Sequence, residues 1–416
     1  MPPGPRRPRA HPRSRLLGLA ALVVAVASVV AGCSSGSNPT ATPTTVGPTS
    51  TTAPASTSTT QPGTDAVAFV SVGGNIDAYD TQSPYDRQRV VAAGTAADGS
   101  EPHGQICFTP DGTKRFVVAE TRPATAAAPA SAGYGLYQLS GDGIGTFRVA
   151  RVSGFTSPGA TAAGASATYG CAFSKSGQLF TTDVGSVSAT NSQAGAADGQ
   201  LIEWFPPFTG TSPAHCVVAT GLAVPQGLAA EPDGSIDLAS AAAPTAGVWR
   251  YSGTFPTKAA SCVTPMAGIT AAKVIPAGAN GLDAPAAVAL SADNKSLVVT
   301  SALDGTIDQF GLDGSFTATL LAPAPPATLG ATPFATGTPL GVAVNADGAI
   351  FYADPGLERA ANGTVAPGVR VGSLRRVAVT KGQAQAPETL NQGLPAPDGL
   401  GIFDPSKASG GAGAIT

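Results

Sequence analysis

A short apolar segment opening on a small residue recurs six times in this chain. The copies read Gly104-Gln105-Ile106-Cys107-Phe108, Gly170-Cys171-Ala172-Phe173, Gly227-Leu228-Ala229-Ala230, Ala287-Val288-Ala289-Leu290, Gly341-Val342-Ala343-Val344 and Gly399-Leu400-Gly401-Ile402-Phe403. Their first residues lie 66, 57, 60, 54 and 58 positions apart. Five copies run into a turn signal: Asp111-Gly112, Ser176-Gly177, Asp233-Gly234, Asp293-Asn294 and Asp347-Gly348. Asp-Gly suits a tight hairpin, because Gly accepts positive φ and Asp bonds the turn backbone. A second apolar strand follows each turn, for example Leu297-Val298-Val299-Thr300-Ser301. A Gly-led third strand comes next, for example Gly247-Val248-Trp249-Arg250-Tyr251, and a more variable fourth strand closes the unit.

Four antiparallel strands in roughly 50–60 residues make a β-propeller blade. Each such sheet has two apolar faces and needs neighbours on both sides. The copies are out of phase at the ends. Ala66 to Val91 supplies strands two, three and four of a blade, and Asp398 to Phe403 supplies a first strand. Joined, they make the sixth blade and close the ring, which removes exposed sheet edges. The expected fold is therefore all-β, a six-bladed propeller over residues 65–404 with a tail at 405–416.

Composition agrees and excludes other classes. Only 12% of residues are charged, and 52 Gly plus 37 Pro make up 89 of 416. With 7 Lys and 6 Glu, long helices and coiled coils are out. No basic run lies beyond the first 15 residues, so a nucleic-acid partner is not expected. Three His exclude His-rich metal chemistry. The chain is expected to act as a monomer.

The start of the chain reads as an address. Arg6, Arg7, Arg9, Arg13 and Arg15 precede an uncharged apolar run, Leu16 to Val30, followed by Ala31-Gly32-Cys33. This is the order of a signal peptide. The Cys after Ala-Gly resembles the lipobox of bacterial lipoproteins, which implies cleavage after residue 32 and a lipid on Cys33. Ser34 to Thr64 holds 11 Thr, 6 Ser and 5 Pro in 31 residues without a charge, so residues 33–64 read as a lipidated tether. The expected location is the outer side of the cell membrane, held by a lipid anchor only. Removing residues 1–32 removes five Arg and leaves 18 basic against 26 acidic residues, a net charge of −8.

In a blade the first strand lines the central channel, and the second returns to the face where the first began. The residue before each first-strand start therefore belongs at the channel mouth: His103, Tyr169, Gln226, Ala286, Leu340 and Asp398. The copy at Gly104 has one extra residue before its Asp-Gly turn, so Gly104 or Gln105 is an alternative to His103 there. Glu120, Asp183, Ser240, Ser301 and Asp354 end the second strands on the same face. His103 is a candidate general base or a His bonded to a neighbouring loop. Asp183 and Asp354 are candidate ligand contacts or turn-bonding acids, and Tyr169 either plugs the channel or touches substrate. Cys107 and Cys171, on adjacent first strands, are open to a disulfide in an exported chain. Cys216 and Cys262 stand 12 and 13 residues after Trp204 and Trp249. Equivalent outer positions of neighbouring blades exceed the Cα separation of about 7 Å that a disulfide tolerates, so this pair is expected to be free.

The repeated Pro-x-Gly of Pro102-His103-Gly104, Pro225-Gln226-Gly227, Pro339-Leu340-Gly341 and Pro397-Asp398-Gly399, with the strand, Asp-Gly, strand pattern, resembles the senescence-marker-protein/gluconolactonase family and the NHL-type propellers. That resemblance implies a divalent-metal lactonase (Ca, Mn or Zn) with a Glu, an Asn and an Asp as ligands. Asp398 matches the family Asp, which is both ligand and base. Gln226 stands where the family has Asn, and the family's Glu-Gly-Pro has no copy. Two functions follow. One is hydrolysis of a small lactone or ester by Asp398 and His103, with Asp398 and Gln226 on a metal and Tyr169, Gln226, Glu120, Asp183 and Asp354 contacting substrate. The other is a non-catalytic module that binds a sugar, peptide or cell-envelope ligand through the loops around the mouth.

Overall fold

The computed structural model describes residues 66–122, 131–158, 166–186, 198–262, 266, 268–324, 329, 334–359 and 365–404. The segments expected to be leader, lipidated tether and tail, Cys33 included, lie outside them, as do parts of the loops expected around the mouth. Among the described residues are six four-stranded antiparallel sheets, each with its strands in sequential order except where the chain ends meet. Blade 1 is Glu101–Phe108, Arg115–Arg122, Ser131–Ser140 and Arg148–Thr156. Blade 2 is Ser166–Phe173, Leu179–Ser186, Gly199–Trp204 and His215–Leu222. Blade 3 is Pro225–Ala230, Ile236–Ser240, Gly247–Gly253 and Ile269–Pro276. Blade 4 is Pro285–Leu290, Ser296–Ser301, Thr306–Gly311 and Phe316–Leu321. Blade 5 is Gly341–Val344, Ile350–Asp354, Gly372–Val377 and Glu388–Leu394. Blade 6 takes Pro397–Phe403 from the end of the chain and Val67–Val72, Asn75–Asp80 and Arg87–Val91 from its beginning. The expected all-β, six-bladed ring is the structure found.

The turns are built as their residues dictate. Gly234 adopts φ +95°, and where Asn294 replaces the turn glycine it adopts φ +58°, the left-handed region that Asn tolerates. Apolar side chains on alternating positions then fill the spaces between blades. Between blades 6 and 1, Phe69 meets Phe108 at 5.2 Å between ring centroids, with Phe403 of blade 6 beside it at 6.3 Å. Between blades 1 and 2, Phe155 meets Trp204 at 4.7 Å.

The repeated glycine of the first strand has a packing cause. A Cβ on Gly399 would overlap the Gly104 carbonyl of blade 1, and one on Gly170 would overlap the Gln226 carbonyl of blade 3. A Cβ on Gly227 would lie 2.7 Å from Ala287 Cα, and one on Gly341 would lie 2.8 Å from the Asp398 carbonyl oxygen. Neighbouring inner strands thus approach backbone to backbone. In alternate blades a hydroxyl seals the contact. Ser71 donates to Gly104 O at 2.8 Å, Thr182 to Gln226 O at 2.8 Å and Thr300 to Leu340 O at 3.0 Å. Ala119, Ala239 and Ala353 take the corresponding positions in blades 1, 3 and 5.

Cys107 and Cys171 join the inner strands of blades 1 and 2 in a disulfide, Cα–Cα 5.9 Å. The expectation for the other pair is corrected: Cys216 and Cys262 are also bonded, Cα–Cα 5.8 Å. Cys216 does lie on the outer strand of blade 2. Cys262, however, precedes the outer strand of blade 3, in a loop that begins with the 3-10 turn Ala259–Ser261 and reaches back to blade 2. The two positions are equivalent in sequence but not in space.

Two outcomes check this architecture. A chain ending at Pro395 lacks the strand that carries Leu400 and Phe403, so it should be insoluble or lack near-UV circular dichroism; a cooperative melt would exclude closure by that strand. Gly399→Ala keeps every apolar contact but forces backbone apart, and should cost about 3 kcal/mol or more, read as a fall in Tm of several degrees.

Candidate functional site

The mouth is divided by chemistry. On one side the residues entering first strands and leaving second strands are small and apolar: Ala223, Val224, Ala241, Ala242, Ala284, Ala302 and Leu303 of blades 3 and 4. They form one buried cluster with Ala286, Leu340 and Tyr169. Leu357 and Val365, from a two-stranded ribbon inserted in blade 5, join the same cluster and fold over the opening. On the other side, blades 6 and 1 place Asp398 and His103.

Asp398 is buried, with 3% of its surface exposed. Gly104 N–H donates to its Oδ1 at 3.0 Å, while Tyr169 O–H, from blade 2, crosses the opening to its carbonyl oxygen at 2.5 Å. Desolvation pushes the Asp398 carboxyl up to about 7, against the lowering effect of the backbone N–H groups. The phenol of Tyr169 is raised well above its usual range by burial and by the charge of Asp398. Tyr169 therefore serves as a neutral hydrogen-bond donor that roofs the site.

Gln226 is fully buried, and neither Nε2 nor Oε1 has a hydrogen-bond partner. Its backbone carbonyl is taken by Thr182, so only the side-chain amide remains available. His103 is half-buried and bridges blades. Its Nε2 donates to Thr168 O at 2.8 Å, which leaves Nδ1 as acceptor for the Thr121 hydroxyl at 3.4 Å. Burial lowers its pKa, so the ring is neutral. Both nitrogens have a neighbour, which is the arrangement of a His bonded to a neighbouring loop.

The three second-strand acids are held in place by their own neighbourhoods. Glu120 turns outward over the third and fourth strands of blade 1, where Arg151 Nε and Nη2 grip it at 2.8 and 2.6 Å and Tyr137 O–H donates at 2.6 Å. Asp183 accepts Ser157 O–H at 2.5 Å and Gly185 N–H at 3.0 Å. Asp354 accepts Thr338 N–H, Thr338 O–H and Gly356 N–H on Oδ1 at 2.8, 2.8 and 2.9 Å, with Ser373 O–H on Oδ2 at 2.9 Å. Asp183 and Asp354 are turn-bonding acids, and Glu120 is an ion-pair anchor.

Gln105 is the residue that sequence reasoning underrated. Gly104, at φ +69°, and the register shift beside it turn the Gln105 side chain inward. Its amide then bonds Leu228 of blade 3 on both sides, Nε2 to O at 2.8 Å and Oε1 from N at 3.0 Å, and also accepts Cys171 N–H at 3.3 Å. It ties three blades together below the mouth. The extra residue before Asp111 is the sequence signal for this bulge.

The donors available for a cation are one carboxyl, half engaged and neutral for much of the pH range, and one amide oxygen. Among the described residues no group of three His, Cys, Asp or Glu converges. A hard cation takes six to eight oxygens, carboxylates included. The residues present do not fit the metal that the lactonase resemblance implies.

No protein-family model matches the chain, and no curated protein matches it. Solved structures do. One of a protein of unknown function from Bacteroides caccae is 10% identical, covering 82% of this chain and 99% of the other, with a TM-score of 0.48. A periplasmic gluconolactonase of Pseudomonas aeruginosa is 15% identical, covering 81% and 99%, at 0.48. TolB from Acinetobacter baumannii is 14% identical, covering 81% and 66%, at 0.44.

Proposed function

We propose that the chain is an exported propeller, tethered through a lipid on Cys33, that binds a small uncharged molecule at its mouth. The carrying observation is Gln226. A buried amide with both polar atoms unpaired costs about 1–3 kcal/mol per atom unless something meets it. The row it occupies also holds Asp398, and the opposite wall is apolar. A small ring with hydroxyl or carbonyl groups on one side and carbon on the other suits that lining. A sugar or sugar lactone has this character. An anionic ligand does not, because no basic side chain meets Asp398 there to balance its charge.

A second reading, hydrolysis of a small lactone or ester, rests on Asp398 alone. A carboxyl with a pKa of about 7 changes protonation in the neutral range, as a general base must. Its carboxylate would take the proton of a water attacking the carbonyl carbon, and Gln226 Nε2 would donate to the carbonyl oxygen. His103, neutral and bonded to Thr168, would shape the wall.

The two readings separate in one set of measurements on the purified chain from Cys33 onward. A panel of sugars and sugar lactones should raise Tm, and Gln226→Leu should remove that shift. If the site is hydrolytic, lactone turnover follows a pKa near 7 and Asp398→Asn abolishes it while the ligand still raises Tm. Absence of turnover with and without Ca²⁺, Mn²⁺ or Zn²⁺ leaves binding as the function. No ligand shift and a silent Gln226→Leu would reject both.

Burial also sets the pH dependence of stability. The acid form of Asp398 is favoured in the folded chain, so its contribution is complete below about pH 4 and is lost as pH rises through about 7. Asp398→Asn should therefore gain on the wild type between pH 4 and pH 8 by about 4 kcal/mol at most, measured as the difference in Tm at the two pH values.

A further inference from the structure

Glu203 lies on the third strand of blade 2 and is fully buried. Neither carboxyl oxygen has a hydrogen-bond partner. Its register partners are Phe180 on one side and Cys216 on the other, so its side chain shares a face with the Cys216–Cys262 disulfide. Directly opposed residues of an antiparallel pair hold their Cβ atoms about 5 Å apart. Phe205, two positions along on the same face, packs against Cys216, Met266 and Cys262 and confirms the orientation. A buried acid without a partner is concentrated at functional sites.

We propose that Cys216–Cys262 is an exchangeable disulfide that an external dithiol reduces, and that Glu203 supplies the proton to its leaving sulfur. Cys262 is the half-buried partner and Cys216 the buried one. An external thiolate attacks Cys262 Sγ, the S–S bond breaks, and Cys216 leaves with the electron pair. The Glu203 carboxylic acid passes its proton to that sulfur and becomes a carboxylate. A second external thiolate then attacks the mixed disulfide and releases Cys262, which takes its proton from water. The dithiol is oxidised and the cysteine pair reduced. Cys262 itself is half-buried, and a neighbouring cleft of about 310 Å³ between blades 2 and 3 shares Val218, Met266 and Ile269 with the cluster around the pair, although neither cysteine lines it.

Burial alone raises the Glu203 carboxyl to about 8, which keeps it protonated and ready to donate at neutral pH. No charge opposes this on the elements packed around it. His215 lies on the other face of its strand, with its ring centroid 4.8 Å from that of Trp204. Lys258 is exposed, and exposed Lys273 sits over the Trp249 ring. Asp237 and Arg250 pair with each other, and Arg250 reaches toward Leu312 of blade 4. The buried pair Cys107–Cys171 has no acid among its register neighbours and serves as an internal control.

The test is graded native reduction of the exported chain by dithiothreitol, with differential thiol labelling and mass spectrometry. Cys216 and Cys262 should label first, while the near-UV circular dichroism spectrum is retained. Their rate per reductant thiolate should fall as pH rises through about 8. Glu203→Gln should lower the rate at pH 7 by about tenfold or more and flatten that profile. Simultaneous reduction of both disulfides, or reduction only on unfolding, overturns the proposal from the wild type alone. An unchanged profile in a folded Glu203→Gln chain overturns the role of Glu203.

Discussion

Six inner strands meeting backbone to backbone is the constraint from which the rest of the molecule follows. A glycine at Gly104, Gly170, Gly227, Gly341 and Gly399 lets each inner strand close on its neighbour with no side chain between. Such an approach buries peptide groups, which must then find partners. Ser71, Thr182 and Thr300 answer that need in three blades, and the alanines of the other three leave room for it. The ring thus carries a threefold alternation inside its sixfold repeat. Gln105 adds a bond that spans three blades, set by a single extra residue.

This tight centre decides what the mouth is able to be. Below the mouth the inner strands meet backbone to backbone and Gln105 spans blades 1 to 3, so the candidate chemistry lies in the row of residues one step above the glycines. Most of that row is filled with carbon, and Tyr169 bolts the apolar side to the acidic side through the Asp398 carbonyl. Burial there raises the acid and lowers the histidine, so His103 is neutral and Asp398 is close to half-protonated at pH 7. Packing alone thus keeps the charge of the row low.

The ring itself was legible because every blade repeats the same arithmetic of glycine, apolar strand and turn. Its closure by the two ends was legible because the copies run out of phase. The mouth was legible only as positions. Asp398 and Gln226 fall in the predicted row and are buried there, but the direction of Glu120 was not, since the Arg151 that draws it outward sits two strands later and in no fixed register with it. The Cys216–Cys262 bond was misjudged for a related reason. Nearly equal counts from Trp204 and Trp249 placed the cysteines in equivalent strands, whereas blade 3 carries a loop there that crosses to blade 2. Period-two patterns report which side of a sheet a residue faces; they do not report where an irregular loop goes.

Strand pairing between the two ends of the chain has a consequence for assembly. Val67 is in register with Phe403, so the first strand of the ring to be synthesised waits for the last. Until that pairing forms, Val67–Val72 presents a bare apolar edge. Blades 1 to 5 meanwhile form an open arc with a dry wall of phenylalanine at one end. Loop-closure entropy is met only in the final step, which places this chain among slow, non-local folders. A chain crossing a membrane unfolded and entering the far compartment from its N-terminus would have that edge exposed throughout the crossing.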